Sequence, residues 1–280
     1  MALDKSKAVK YIVLFIVCLL IMLLGSSVMV LAMARPFKTI TGYDGETINK
    51  AIELFQNYFS SKQCTYDNTY TWNEYAVMYF DADPILFKDV KIFFCTLQFL
   101  SYVPLIILIV YFLRTEFAED FIKFKKNVGR NFMLVLIGIF AMYAASMIVG
   151  LIYKGIGITG DSNNESIIVL LLNSPGIWLM AVAVVLIAPV VEEVIFRKLL
   201  FGTCEVTCHF PPVVAIILSS LVFSFIHVSD LESLKFIFQY LALAIPMCVI
   251  YHISGNNIYV TIIMHIINNL LSVIITLSQL

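Results

Sequence analysis

Three apolar stretches of this sequence carry residue types that hydrolytic chemistry needs. Glu192, Glu193 and Arg197 lie in "EEVIFR", His227 closes "FSFIH", and His265 and Asn269 lie in "HIINN". On a helix Glu193 and Arg197 are one turn apart, so they can form a charge-assisted pair that makes both tolerable in lipid. Glu192 is rotated by about 100° and is left free by that pair. His227 stands one turn after Phe223, and His265 one turn before Asn269 on the same face. A carboxylate and an imidazole facing one cavity can take the proton of a water molecule. A second imidazole with a carboxamide can donate to the oxyanion that forms when such water attacks a peptide carbonyl. These are the parts for hydrolysing an amide bond, and no Gly-x-Ser-x-Gly nucleophile motif is present.

The elements that must position these groups are membrane helices. Of 280 residues 61% are hydrophobic and 13% charged, and the mean hydropathy is +0.93, outside the range of soluble domains. Net charge is −1, which gives no reason to expect a nucleic-acid partner. Apolar runs of crossing length occupy 11 to 33, 90 to 113, 131 to 153, 176 to 200, 213 to 229, 235 to 252 and 259 to 279. The expected fold is therefore all-α, a polytopic, multi-pass cell-membrane helix bundle with seven spans. An eighth crossing stays open, since "IIVLLL" at 167 to 172 is too short to cross alone and reads as an interfacial turn or a lead-in to the fourth span. Lys5, Lys7 and Lys10 before the first span, and Arg114, Lys123, Lys125, Lys126 and Arg130 after the second, put both segments and the N-terminus in the cytoplasm.

The chain divides into an N-terminal anchor helix (1–33), an extracytoplasmic loop or cap (34–89), spans two and three (90–153) and a catalytic membrane core (154–280). Ala32 and Ala34 have the spacing of a signal cleavage site, but the apolar run before them is longer than a signal core, and a retained anchor is expected. The 34–89 segment carries eight acidic residues, and "ETINKAIELFQNYF" (46 to 59) has amphipathic spacing. It reads equally as a substrate-recognition lid or as a packed cap. The six cysteines, scattered mostly through apolar segments, do not form a disulfide framework. Cys204, Cys208 and His209 lack a second ligand pair and read as a helix end rather than a metal site.

Each ionisable group in lipid costs about 2.5 to 3.5 kcal/mol even on the lenient insertion scale, so each needs a partner or a task. Pro189 cannot donate an amide hydrogen, so the helix should kink or open one turn before the glutamates. Alone, His227 would read as a packed histidine; beside Glu192, His265 and Asn269 on neighbouring spans it reads as functional. Glu193 and Arg197 read as mainly structural. His252 and Asn268 are left outside the site, Asn268 because it is rotated by about 100° from Asn269.

In this order, "EEVIFR", "FSFIH" and "HIINN" resemble the motifs of the CPBP (ABI) family of intramembrane proteases, which includes CAAX prenyl endopeptidases and bacteriocin-processing and immunity proteins. The resemblance covers about 176 to 279. It implies a glutamate-type protease in which Glu192 and His227 activate water, His265 and Asn269 hold the oxyanion, and Glu193 and Arg197 support the site. It also implies no cofactor and no metal, in agreement with the lack of His-Glu-x-x-His. Its partners would be membrane lipid and a membrane-associated peptide or protein substrate. Where many relatives have glycine after the motif arginine this chain has Lys198, which puts the fine substrate contacts in question. Because some relatives are not proteolytic, the alternative is an immunity protein, or a scaffold or regulator of a sensor kinase or transporter. A proton-relaying transporter is a third reading, opposed by the lack of an inverted repeat.

Overall fold

A computed structural model describes residues 5–228 and 231–279. Among these residues the chain is helical with one isolated bridge, Gln63 to Thr71, and no strand. It begins with α1 (Lys5–Thr41), which is 37 residues long and continues past Pro36. Helices α2 (Gly45–Gln56) and α3 (Trp72–Ala82) lie in the 34–89 segment, the cap by its position in the chain, and α4 (Pro84–Ser101), α5 (Val103–Lys126) and α6 (Val128–Gly155) follow. A short α7 (Asn163–Leu172) precedes α8 (Ile177–Val182) and α9 (Ala188–Glu193). Then come α10 (Pro212–Ile226), α11 (Ile237–Ile253) and α12 (Ile258–Gln279).

Among the described residues six helical runs are long and apolar enough to cross a membrane, including Pro84–Lys126 and Ile177–Glu205. The chain is thus a multi-pass membrane bundle. The fifth expected run, 213 to 229, yields only the 15 residues of α10, about 22 Å at the usual rise and short of the ~30 Å of hydrocarbon. Its helix stops at Ile226, directly before His227, and the last position of that run lies outside the described residues. The 167 to 172 stretch forms the second half of α7, which leads into the fourth span across a turn. The second span is longer than its apolar run, because α5 continues to Lys126 with Glu116 and Asp120 buried and paired.

Local sequence explains the cap. Asp44 accepts from the amides of Glu46 and Thr47 at the start of α2. Thr71 and Glu74 form a reciprocal capping box on α3. Asp83 accepts from the Leu86 amide to start α4. The expected amphipathic helix is α2, which turns Ile48, Ala51, Ile52, Leu54 and Phe55 inward. Phe55, Tyr58, Phe80 and Phe87 stack beneath it. A second apolar core, shared by α1, α5, α10, α11 and α12, surrounds the motif-bearing span.

Two prolines break the helices that face one another across the site. Pro104 sits at the α4–α5 junction, where the backbone is interrupted at Tyr102. Pro189 opens α9, preceded by a wide π-helical turn over Ala183–Ile187 in which the Ala188 amide reaches back five residues to the Ala183 carbonyl. A second π-helical stretch, Val194–Phe201, follows the glutamates.

Candidate active site

The wide turn aims the glutamates. The next amide in its i to i−5 register would be that of residue 189, reaching the carbonyl of Val184, but proline has no amide hydrogen. The Asn269 side chain supplies the missing donor, its Nδ2 lying 2.9 Å from the Val184 carbonyl. A buried carbonyl in lipid must find such a partner. The expected disturbance before the glutamates is therefore present as a π-helical turn, and α12 is fastened to it.

Glu193 and Arg197 are fully buried, with Glu193 Oε1 3.0 Å from Arg197 Nη1. The same oxygen accepts from His265 Nδ1 at 2.9 Å. Arg197 also reaches the Ala244 carbonyl and lies over the Phe223 ring at 4.6 Å. Glu193 thus joins the arginine to the α12 histidine, a link that spacing within one helix could not reveal. The arrangement fixes which nitrogen of His265 faces the cavity, as a carboxylate does for a histidine base in other hydrolytic sites.

Glu192 makes no hydrogen bond to the described residues. Its Oε2 lies 3.8 Å from His227 Nε2 and 3.8 Å from His265 Nε2. Both separations are too long for a direct bond and suit a bridging water. His227 follows the last turn of α10, and its Nδ1 is 2.8 Å from the Phe223 carbonyl. A carbonyl only accepts, so Nδ1 carries the hydrogen, and the neutral ring presents a bare Nε2 toward Glu192. Phe223 and Tyr240 hold the ring from either side, with centroids at 4.5 and 5.0 Å. Phe223 therefore packs in the site rather than against lipid.

Glu192, His227, His265 and Asn269 all line one cavity of about 210 Å³. The short α10 resolves the depth at which these groups meet: Glu192 lies midway along Ile177–Glu205, and α10 ends at that level instead of crossing it. Several lining residues were not legible in the sequence. Asn268 is one: its Nδ2 donates to Asn269 Oδ1 at 3.2 Å and it borders the cavity, although helical rotation alone placed it elsewhere. Tyr102 and Gln98 come from the break at Pro104, and Glu165 and Asn164 from the start of α7. Proline breaks were visible signals; the partners across them were not.

Lys198, the departure from the family pattern, points away from the cavity and pairs with Asp120 of α5 at 2.5 Å. Among the described residues no three His, Cys, Asp or Glu side chains are grouped so as to hold a metal ion, and the Cys204–Cys208–His209 stretch is no exception.

Comparison with known proteins agrees with this geometry. The family model described as "Type II CAAX prenyl endopeptidase Rce1-like" matches residues 174–271, the stretch that carries all three motifs. A Bacillus subtilis (strain 168) protein named "Putative membrane peptidase YdiL" is 27% identical over 181 residues, which is 64% of this chain and 70% of that one. No solved structure matches. Neither match supports a sensor kinase or a transporter as partner. Both matches support the CPBP family: residues 174–271 are similar to the Rce1-like CAAX prenyl endopeptidases, and the chain is similar to a protein named as a membrane peptidase.

Proposed function

We propose that this chain is an intramembrane endopeptidase that hydrolyses peptide bonds of a membrane-associated peptide or protein without a metal. The observation that carries the reading is the position of Glu192 Oε2, unbonded and 3.8 Å from the Nε2 atoms of two histidines. A water held there meets two acceptors, the carboxylate and the bare Nε2 of His227. Either takes its proton as the oxygen attacks the scissile carbonyl carbon. The tetrahedral oxyanion then accepts from His265 Nε2–H and from the second Nδ2 hydrogen of Asn269. When the C–N bond breaks, the stored proton passes to the leaving amine.

His265 donates its Nδ1 hydrogen to Glu193, so its Nε2 carries a hydrogen only when the ring is an imidazolium. In that form Glu192, Glu193, Arg197 and His265 together carry no net charge. Asn268, by engaging the Asn269 oxygen, leaves the Asn269 amide hydrogens for the Val184 carbonyl and the oxyanion.

The test is peptidomics of membranes carrying the wild-type chain or Glu192→Gln, followed by cleavage of the differing peptide in lipid nanodiscs. Cleavage should fall by about 10²- to 10⁴-fold in Glu192→Gln and in His227→Gln, and should persist with a zinc chelator. Undiminished cutting in both variants would overturn the mechanism. Normal complementation by both would instead indicate a non-proteolytic immunity or scaffolding role.

A further inference from the structure

The cavity around Glu192 extends in two directions. Toward the cap it runs beneath α7, past Glu165 and Ile168, to Tyr240 of α11 and Ser272 of α12. On the other side a recess of about 200 Å³ shares Glu192, His227 and Tyr102 and continues to Ile21 and Leu23 of α1 and Ile226 of α10. Leu23 is 53% exposed on α1, so this recess opens at the side of the bundle between α1 and α10. The end of that recess formed by Ile21, Leu23 and Ile226 is apolar, so Glu192 stands between an apolar side opening and a cavity that is bordered by the Glu165 carboxylate.

Among the described residues no Lys or Arg lines either recess, while the carboxylates of Glu165 and Glu192 do. Glu165 sits in the first turn of α7, where Ser162 caps its amide at 3.2 Å. A capping-box glutamate would return its carboxylate to the cap residue's amide, as Glu74 does to Thr71 at 2.8 Å. The Glu165 carboxylate does not return: it makes no hydrogen bond or ion pair among the described residues and borders the cavity instead. The favourable field at a helix N-terminus offsets part of the cost of placing a carboxylate there. It leaves the Glu165 carboxylate without a counter-charge in a partly apolar space, which a cation from outside the chain would complement.

We propose that Glu165 is a specificity residue, which selects membrane peptides carrying a cationic group, a Lys or Arg side chain or a free amino terminus, on the cap side of the scissile bond, with an apolar flank in the α1–α10 recess. This rests on the hydrolase reading above and adds to it the substrate class. The apolar flank enters from lipid, the cation stops against Glu165, and the intervening peptide bond is held at the Glu192 water.

Synthetic peptides with one apolar flank and either Lys, Gln or Glu on the other side test this in nanodiscs. Wild-type protein should favour the Lys peptide over the Glu peptide by at least about tenfold in kcat/KM. Glu165→Gln, which keeps the shape and the Ser162 cap, should reduce that preference to about twofold or less, and Glu165→Lys should reverse it. Fluorescence anisotropy of the same peptides on Glu192→Gln and on Glu192→Gln/Glu165→Gln reads selection without turnover. A preference that survives Glu165→Gln, or equal binding of all three peptides, overturns the proposal. Charge-selective binding that depends on Glu165, with no cleavage of any peptide, supports this site while refuting the hydrolase. Unchanged thermal stability of Glu165→Gln separates selection from helix capping.

Discussion

Two buried carboxylates, Asp120 and Glu192, occupy the same membrane core in opposite states. Asp120 is 1% exposed and is saturated. Its oxygens meet Lys123 and Lys198, the Ile258 amide approaches Oδ2 at 3.5 Å, and its own carbonyl accepts from Asn257 Nδ2 at 2.8 Å. It ties α5 to the motif-bearing span and to the start of α12. Glu192 is 7% exposed and makes no hydrogen bond among the described residues, its nearest partners being the two histidine Nε2 atoms at 3.8 Å. Burial therefore does not separate structural acids from poised ones; saturation by partners does. Glu193 stands between the two, saturated by Arg197 yet also orienting His265.

This contrast can be broken by exchanging the readouts. The largest effect expected is on turnover: Glu192→Gln should remove about 10²- to 10⁴-fold of activity while leaving the thermal midpoint in nanodiscs unchanged. Asp120→Asn should do the reverse, costing about 3 kcal/mol because Lys198 loses its partner, with kcat per folded molecule retained. If Asp120→Asn abolished turnover in folded protein, the division of labour would be wrong. Asn269→Leu sharpens the comparison next. It should lower kcat by about 10²- to 10³-fold as an oxyanion donor is lost, and also lower stability as the Val184 carbonyl is stranded. Glu193→Gln should lose about 3 kcal/mol of stability, read by thermal melting, by leaving Arg197 buried without a counter-charge.

The smallest effect concerns the cap. Backbone amides of Thr47 and Glu46 hold the Asp44 carboxyl below its usual range, and those of Thr71 hold Glu74 there. A depressed folded value means the stabilisation is complete above the unfolded value near ~4 and is lost as pH falls through the lower folded value. Hydrogen exchange should thus accelerate in α2 and α3 below about pH 4 while the amides of Ile177–Glu205 stay protected. Equal acceleration in both would mean the cap and the membrane core melt together.

Much of this site is readable from spacing, because one turn of helix separates Glu193 from Arg197 and His265 from Asn269. Composition yields the membrane class, and amphipathic periodicity yields α2. What periodicity leaves out is rotation between helices. Nothing within one strand of text brings Glu193 to His265, Asn268 to the cavity wall, or Glu165 from α7 to the same space as Glu192. The fifth apolar run had the composition of a span, but its helix ends at Ile226, directly before His227, whose Nε2 faces Glu192. Lys198 in the family's glycine position becomes intelligible only with Asp120 opposite it.

The five-residue wide turn at Ala183–Ile187 makes the aim of Glu192 a matter of counting. A π-helical turn is an ordinary helix with one residue inserted, so the chain after it is indexed by roughly 100° relative to the chain before. Remove a single residue there and the helix would close to the common pitch, swinging Glu192 toward a different neighbour. In this segment residue number, more than residue chemistry, decides which way the carboxylate looks.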